Sequence, residues 1–164
     1  QVSVSVECEG QIHVCEQADS AVFEPAALSR AEPPAEPALR DPVAVPLEAL
    51  AWGRSGDKGN KANIGVIARS PEFVPFIAAQ ITEQRVTELF CHFLAAGQER
   101  PVERFYLPGP GAFNFLLHDV LGGGGIASLR TDPQGKGYAQ VLLAEEVRVP
   151  RQLARQYRLE TFED

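Results

Sequence analysis

The chain has 164 residues, with 22 acidic against 15 basic side chains, and its net charge of −7 argues against a nucleic-acid backbone as partner. Hydrophobic residues make up 45% and charged residues 23%, enough for a real core, and no apolar run approaches the roughly 20 residues that cross a bilayer. Three cysteines (Cys8, Cys15, Cys91) are too few and odd in number for a disulfide framework, which points to a reducing cytoplasm. Methionine is absent even at position 1, so the chain reads as a processed product or a fragment.

Val2, Val4 and Val6 alternate with Ser3, Ser5 and Glu7, and Ile12 and Val14 follow Glu9-Gly10. This predicts a strand hairpin within residues 1–24. Cys8, His13 and Cys15 lie on it, but three ligands fall short of a closed zinc set and their spacing matches no finger, so no metal is expected. Six prolines (25, 33, 34, 37, 42, 46) among alanines and glutamates predict an extended linker at 25–42. The compact domain then spans 43–150, followed by a terminal helix or tail at 151–164.

Within the domain, Val43 to Trp52 and Asn63 to Arg69 read as strands. Ser70 and Pro71 open a helical segment that Pro75 restarts, and Thr82 caps a second one with Val86, Leu89, Phe90 and Phe93 on one face. Val102 to Leu107 is a predicted strand. Pro110 to Leu121 reads as a helix stopped by Gly122, and Ile126 to Arg130 and Tyr138 to Val149 as strands joined at Asp132-Pro133-Gln134-Gly135. The order ββααβαββ predicts an α+β sandwich with a mostly antiparallel sheet and two helical segments on one face. Arg151, Arg155 and Arg158 sit at helical spacing, and the acids Glu160, Glu163 and Asp164 that follow suggest a solvated helix.

Twelve of the fourteen glycines fall in four short segments, 53–65, 109–111, 122–125 and 135–137. Glycine lets a backbone approach a ligand closely, but no dinucleotide fingerprint or P-loop is formed. Against twelve arginines there are three lysines, Lys58, Lys61 and Lys136, and all three lie inside these segments. The densest stretch, Arg54-Ser55-Gly56-Asp57-Lys58-Gly59-Asn60-Lys61-Ala62-Asn63-Ile64-Gly65, reads as a polar hairpin loop. Asp57 and Lys58 are its candidate catalytic pair, acid or base beside a tunable amine. Arg54, Ser55, Asn63, Asn114, Arg130 and Lys136 are candidate ligand contacts, with an excess of positive charge suited to an anion. Cys91 and His92 are neighbours on one helix and cannot share a face, His118 beside Asp119 reads as solvated, and Ser128 lacks a nucleophile elbow.

The stretch RSGDKGNKANIGVIAR, followed by PGPGAFNFLLHDVLGGGGIASLRTDPQGKGYAQVLL, resembles the C-terminal domain of the acyclic terpene utilisation (AtuA) protein family, over roughly Val45 to Pro150. Family motif positions match at Ser55, Gly56, Asp57, Lys58, Gly59, Asn63, Gly65, Asn114, Ser128, Arg130, Asp132 and Lys136. Position 60 carries Asn where an acid is common in the family. The resemblance implies a ferredoxin-like fold and a role in breakdown of citronellol- or geraniol-type terpenes through branched acyl-CoA intermediates. It also implies a larger AtuA-type N-terminal domain as partner, of which residues 1–42 are a tail or an extension, and it carries over no reaction for this domain.

Two readings stand side by side. One is a domain that binds a small anionic ligand such as an acyl-CoA or a carboxylate, with no resident cofactor. The other is a non-catalytic module that assembles through an uncovered sheet face or edge, and either way a homo-oligomer is expected. Neither involves nucleic acid or a membrane.

Overall fold

Period-two alternation of apolar residues decides the architecture. The computed structural model describes residues 4–15, 29–35 and 37–159. In chain order the elements are β1 (Val4–Cys8), β2 (Gln11–Cys15), β3 (Pro42–Pro46), α1 (Leu47–Leu50), β4 (Ala51–Lys58), β5 (Lys61–Ala68), α2 (Val74–Gln80), α3 (Glu83–Phe90), β6 (Val102–Leu107), β7 (Ala112–Leu117), α4 (Tyr138–Leu143), β8 (Glu146–Pro150) and α5 (Arg151–Tyr157). Expectations for Val2, for Pro25 and for the terminal acids Glu160, Glu163 and Asp164 lie outside the described residues.

Four strands form the main sheet in the order β4-β5-β7-β6, every neighbouring pair antiparallel. β5 and β6 therefore run parallel with β7 between them, a split βαβ unit whose crossover holds α2 and α3. Ile64, Val66, Phe113, Phe115 and Leu117 bury themselves on the inner face. Helix α3 covers this face at β6 and α4 covers it at β4. The chain is glycine at position 53 because a Cβ there would stand 3.0 Å from Leu143 Cδ1, so the missing side chain lets α4 settle on β4. β3 and β8 form a separate antiparallel ribbon against α2 and α5. This is the α+β arrangement that the strand and helix content predicts, an antiparallel sheet with helices on one face.

Five local expectations are corrected. Val43 to Trp52, predicted as one strand, divides into β3, the single turn α1 and the start of β4. The segment predicted as a helix at Pro110 to Leu121 is the central strand β7, with Phe113, Phe115 and Leu117 inward and Ala112, Asn114 and Leu116 outward. Its apolar run satisfied helical spacing by chance, because Ala112 and Leu116 on the outer face are apolar as well and hide the period of two. Ile126 to Arg130 is not a strand: it is an irregular turn from which Ile126 and Leu129 project fully into solvent. Tyr138 to Val149 divides into α4 and β8. The polar segment 54–65 is not a long loop but two strands joined by a two-residue turn, with Gly59 at φ +68, as a type II′ hairpin requires at its first turn position.

The predicted helix starts hold, whereas His118 is half-buried against Glu103 instead of solvated. Thr82 Oγ1 accepts the Arg85 amide at 3.1 Å and caps α3, and a short 3-10 turn at Pro71–Phe73 precedes α2. Helix α5 is less solvated than its arginines suggest: Ala154 is buried, Tyr157 packs edge-on to Phe73, and its hydroxyl meets Ser70 Oγ at 2.9 Å. Among the described residues no helix is long and apolar enough to cross a membrane.

Two contacts of this fold make testable claims. Gly124 lies against the β4–β5 turn at φ +91, where a Cβ would stand 2.9 Å from the Gly59 carbonyl oxygen. Gly124→Ala should lower stability by about 2 kcal/mol or more. Gly109→Ala, in open space with ordinary φ, should change it by only about 0.5 kcal/mol; denaturant midpoints read the difference. The second contact joins the segment before β3 to the edge strand β6. Arg30 Nη2 donates to Glu103 Oε2 at 3.0 Å and its guanidinium lies 4.5 Å over the Phe105 ring, while His118 Nε2 meets Glu103 Oε1 at 2.9 Å. Hydrogen bonds from Arg30 and then His118 hold the Glu103 carboxyl below its ordinary range. A depressed carboxyl adds stability above its unfolded value and loses it as pH falls through the folded one. The gap in melting temperature between wild type and Glu103→Gln should therefore narrow as the solution is acidified below the ordinary carboxylate range, and at neutral pH the variant should be cleaved faster by trypsin after Arg30.

Candidate functional site

Strand alternation sorts the candidate residues before any chemistry can. On β4, Ser55 and Asp57 point inward with Gly53, while Trp52, Arg54, Gly56 and Lys58 point outward. Asp57 and Lys58 thus occupy opposite faces of one strand. The Lys58 ammonium donates to the main-chain oxygen of Asp57 at 2.8 Å rather than to its carboxylate. The Asp57 carboxylate instead lies toward the glycine loop, with Oδ2 3.7 Å from the position of a Cβ on Gly125.

Ser55, Arg130 and Asp132 are tied into the scaffold. The Ser55 hydroxyl is buried between β4 and α4, donating to Lys136 O at 3.1 Å and accepting the Ala139 amide at 2.9 Å. Asp132 closes the loop before α4, its two carboxylate oxygens accepting the Lys136 and Gly137 amides at 2.9 and 2.8 Å. Arg130 spreads its guanidinium over the Phe93 ring at 5.1 Å and donates to the carbonyls of Val120 and Phe93. Those bonds turn it away from β4.

Arg54, Asn63 and Asn114 lie on the outer face, which no helix covers. Asn63 Nδ2 donates to Asn114 Oδ1 at 3.1 Å across β5 and β7, so each amide already holds a partner. Gly56, opposite Asn63 in register, is the corner between this face and the lysine-bearing end of the sheet. The Lys136 ammonium stands 3.2 Å from the position of a Cβ on Gly56. Lys58 and Lys61 face each other directly across the hairpin. Structure therefore brings Lys58, Lys61 and Lys136 to one end, keeps Asp57 on the far side of β4, and leaves Arg54, Asn63 and Asn114 along the open face.

Two residues outside the candidate set organise this end. Asn60 accepts the Val120 and Leu121 amides on its main-chain oxygen, at 3.1 and 3.3 Å. Its side chain accepts the Gly123 amide at 2.7 Å and donates to Asp119 at 3.1 Å. An amide both donates and accepts, so Asn suits position 60 where a carboxylate has no proton to give Asp119. Lys61 belongs with Lys58 by register, and the placement of all three lysines among the glycines was the signal that pointed to it.

None of the three lysines forms an ion pair among the described residues. Like charges directly opposite across two strands are destabilising. What the cluster can do chemically is hold an anion. For a metal the arrangement offers nothing: among the described residues no three His, Cys, Asp or Glu side chains gather closely enough. On the N-terminal hairpin, Cys8 pairs with Gln11 beside the turn and Cys15 with Val4 at the far end, and the Cys15 side chain lies outside the described residues.

Comparison with known proteins gives one match, and no curated protein and no solved structure matches the chain. The AtuA ferredoxin-like domain matches residues 45–148, from the core of β3 to β8 and so over the whole main sheet. With the sheet, its helices and the glycine-lysine end all inside that span, the chain belongs to the AtuA ferredoxin-like domain family.

Proposed function

We propose that this domain serves a protein of acyclic terpene breakdown, as the family name suggests, and that its lysine-bearing end binds the anionic group of a small ligand. A branched acyl-CoA or a carboxylate suits the charge. The observation that carries the reading is the cluster itself. The only three lysines of an acidic chain gather at one end of the sheet with no carboxylate partner among the described residues, two of them directly opposed across a hairpin. A scaffold gains nothing from such a pair, whereas an anion between the ammonium groups offsets their repulsion. Glycine at 56 and 59 removes side-chain bulk beside them. Asp57, on the other face, is not part of this anion contact. Free cysteines at 8 and 91 agree with a reducing cytoplasm as the place of work.

Titration with CoA, with a branched acyl-CoA and with inorganic pyrophosphate, followed by calorimetry, tests the reading. Saturable binding that weakens as salt rises is expected. Lys136→Ala and Lys58→Ala should each weaken it about tenfold, the loss of a single charge-assisted contact, with melting temperature not lowered, because both side chains are exposed and Lys58→Ala also removes the like-charge pair with Lys61. Absence of saturable binding to all three probes at millimolar concentration contradicts the proposal.

A further inference from the structure

The margin of the main sheet away from β4 is strand β6, and the chain lays one of its own segments beside it. Residues 29–33, β6 and the start of α3 enclose a cavity of about 780 Å³. That volume lies within the roughly 300 to 1,000 Å³ of ordinary small-molecule sites. The segment is held by Arg30, which pairs with Glu103 and stacks on the Phe105 ring. Arg100 stands just before β6, and Phe105 and Tyr106 lie five and six residues further on. At the rise of a strand this separates the charged from the aromatic lining by roughly 15 Å.

Three arginines line this cavity, and two are already engaged. Arg30 has its carboxylate in Glu103. Arg104 turns its guanidinium to the carbonyls of Ala78 and Ile81, and its main-chain amide donates to Glu83 Oε1 at 2.8 Å. Burial lowers the Arg104 pKa, and the nearby charges of Glu83 and Glu32 oppose that fall. Arg100 alone of the three forms no ion pair among the described residues, and it is exposed.

We infer that this cavity takes a small monocarboxylate with an apolar tail, its carboxylate on Arg100 and its tail along Phe105 and Tyr106 beneath Ala31 and Pro33. One unpaired guanidinium suits one negative charge, and a carboxylate accepts its paired N–H groups side by side. Glu32 and Glu83 line the same space and repel a second charge, which disfavours dicarboxylates and phosphates. The aromatic and proline walls bury a tail but offer an uncharged polar body little. The site lies across the sheet from Lys58 and Lys61, and the inference stands whether or not those lysines bind an anion.

Amide NMR of the full chain, titrated with octanoate, its uncharged counterpart octanamide and the dicarboxylate suberate, tests this. Octanoate should shift the Phe105 and Tyr106 amides saturably and bind about tenfold more tightly than either of the others. Arg100→Gln should bring octanoate down to the affinity of octanamide and leave octanamide unchanged. Arg30→Gln, which frees the covering segment, should weaken both alike, and Lys58→Ala should affect neither. All three side chains are exposed, and circular dichroism confirms folding in each variant. Equal binding of octanoate and octanamide overturns the inference, as does octanoate binding that survives Arg100→Gln. Absence of shifts at Phe105 and Tyr106 also overturns it. Octanoate shifts confined to the β4–β5 hairpin and lost in Lys58→Ala would move the carboxylate to the lysines, and would overturn the cavity while supporting the lysine-bearing end.

Discussion

One hydroxyl ties the lysine-bearing end of this domain to its sheet. Ser55 is the buried polar side chain of the described core, and its oxygen both gives a hydrogen bond to Lys136 O and takes one from Ala139 N. A buried polar group is stable only when satisfied, and here one group satisfies two main-chain partners of the loop-to-helix junction. Through it, α4 is set on β4 at the place where Gly53 leaves room for Leu143. The Lys136 side chain can then wrap the strand edge and bring its ammonium to Gly56. Together with the Asp132 bonds to the Lys136 and Gly137 amides, that anchor makes the third lysine part of a fixed corner.

Much of the fold was legible in the residues. The hairpin β1–β2, strands β5 and β6, the Thr82 cap and the lone terminal helix all follow from local patterns of period, capping and turn chemistry. Two long-range facts were not local. Whether Phe113 to Leu117 is a strand depends on its being flanked by both β5 and β6, and a run apolar on both faces hides the period. Tyr138 to Leu143 reads as strand by residue type, yet the Ser55 hydroxyl that takes the Ala139 amide at the start of α4 comes from β4, far away in the chain.

The candidate site was legible in part, for the same reason. Glycine and lysine placement singled out Lys58, Lys61 and Lys136, which the fold brings to one end of the sheet. Treating 54–65 as a loop, however, made its residues appear free to converge. In a strand they cannot, because successive side chains leave by opposite faces. Asp57 is separated from Lys58 by that rule, and Arg54 and Asn63 are carried to the open face with Asn114. Arg130, a cation beside a glycine run, resembled a ligand contact until the carbonyls of Val120 and Phe93 were seen to occupy it. Residues of one polar motif thus divide among the scaffold, the lysine-bearing end and the open face of the sheet.

The central claim is that Ser55 positions Lys136 for the anion-facing end. Native-state hydrogen exchange of Ser55→Ala, paired with pyrophosphate titration of the same variant, tests it most directly. Losing the bond should raise exchange at the Ala139 amide by about 10- to 100-fold while amides shared by β5 and β7 stay protected, and affinity should fall to that of Lys136→Ala. Unchanged protection at Ala139, or full affinity retained with that amide exposed, would contradict the account.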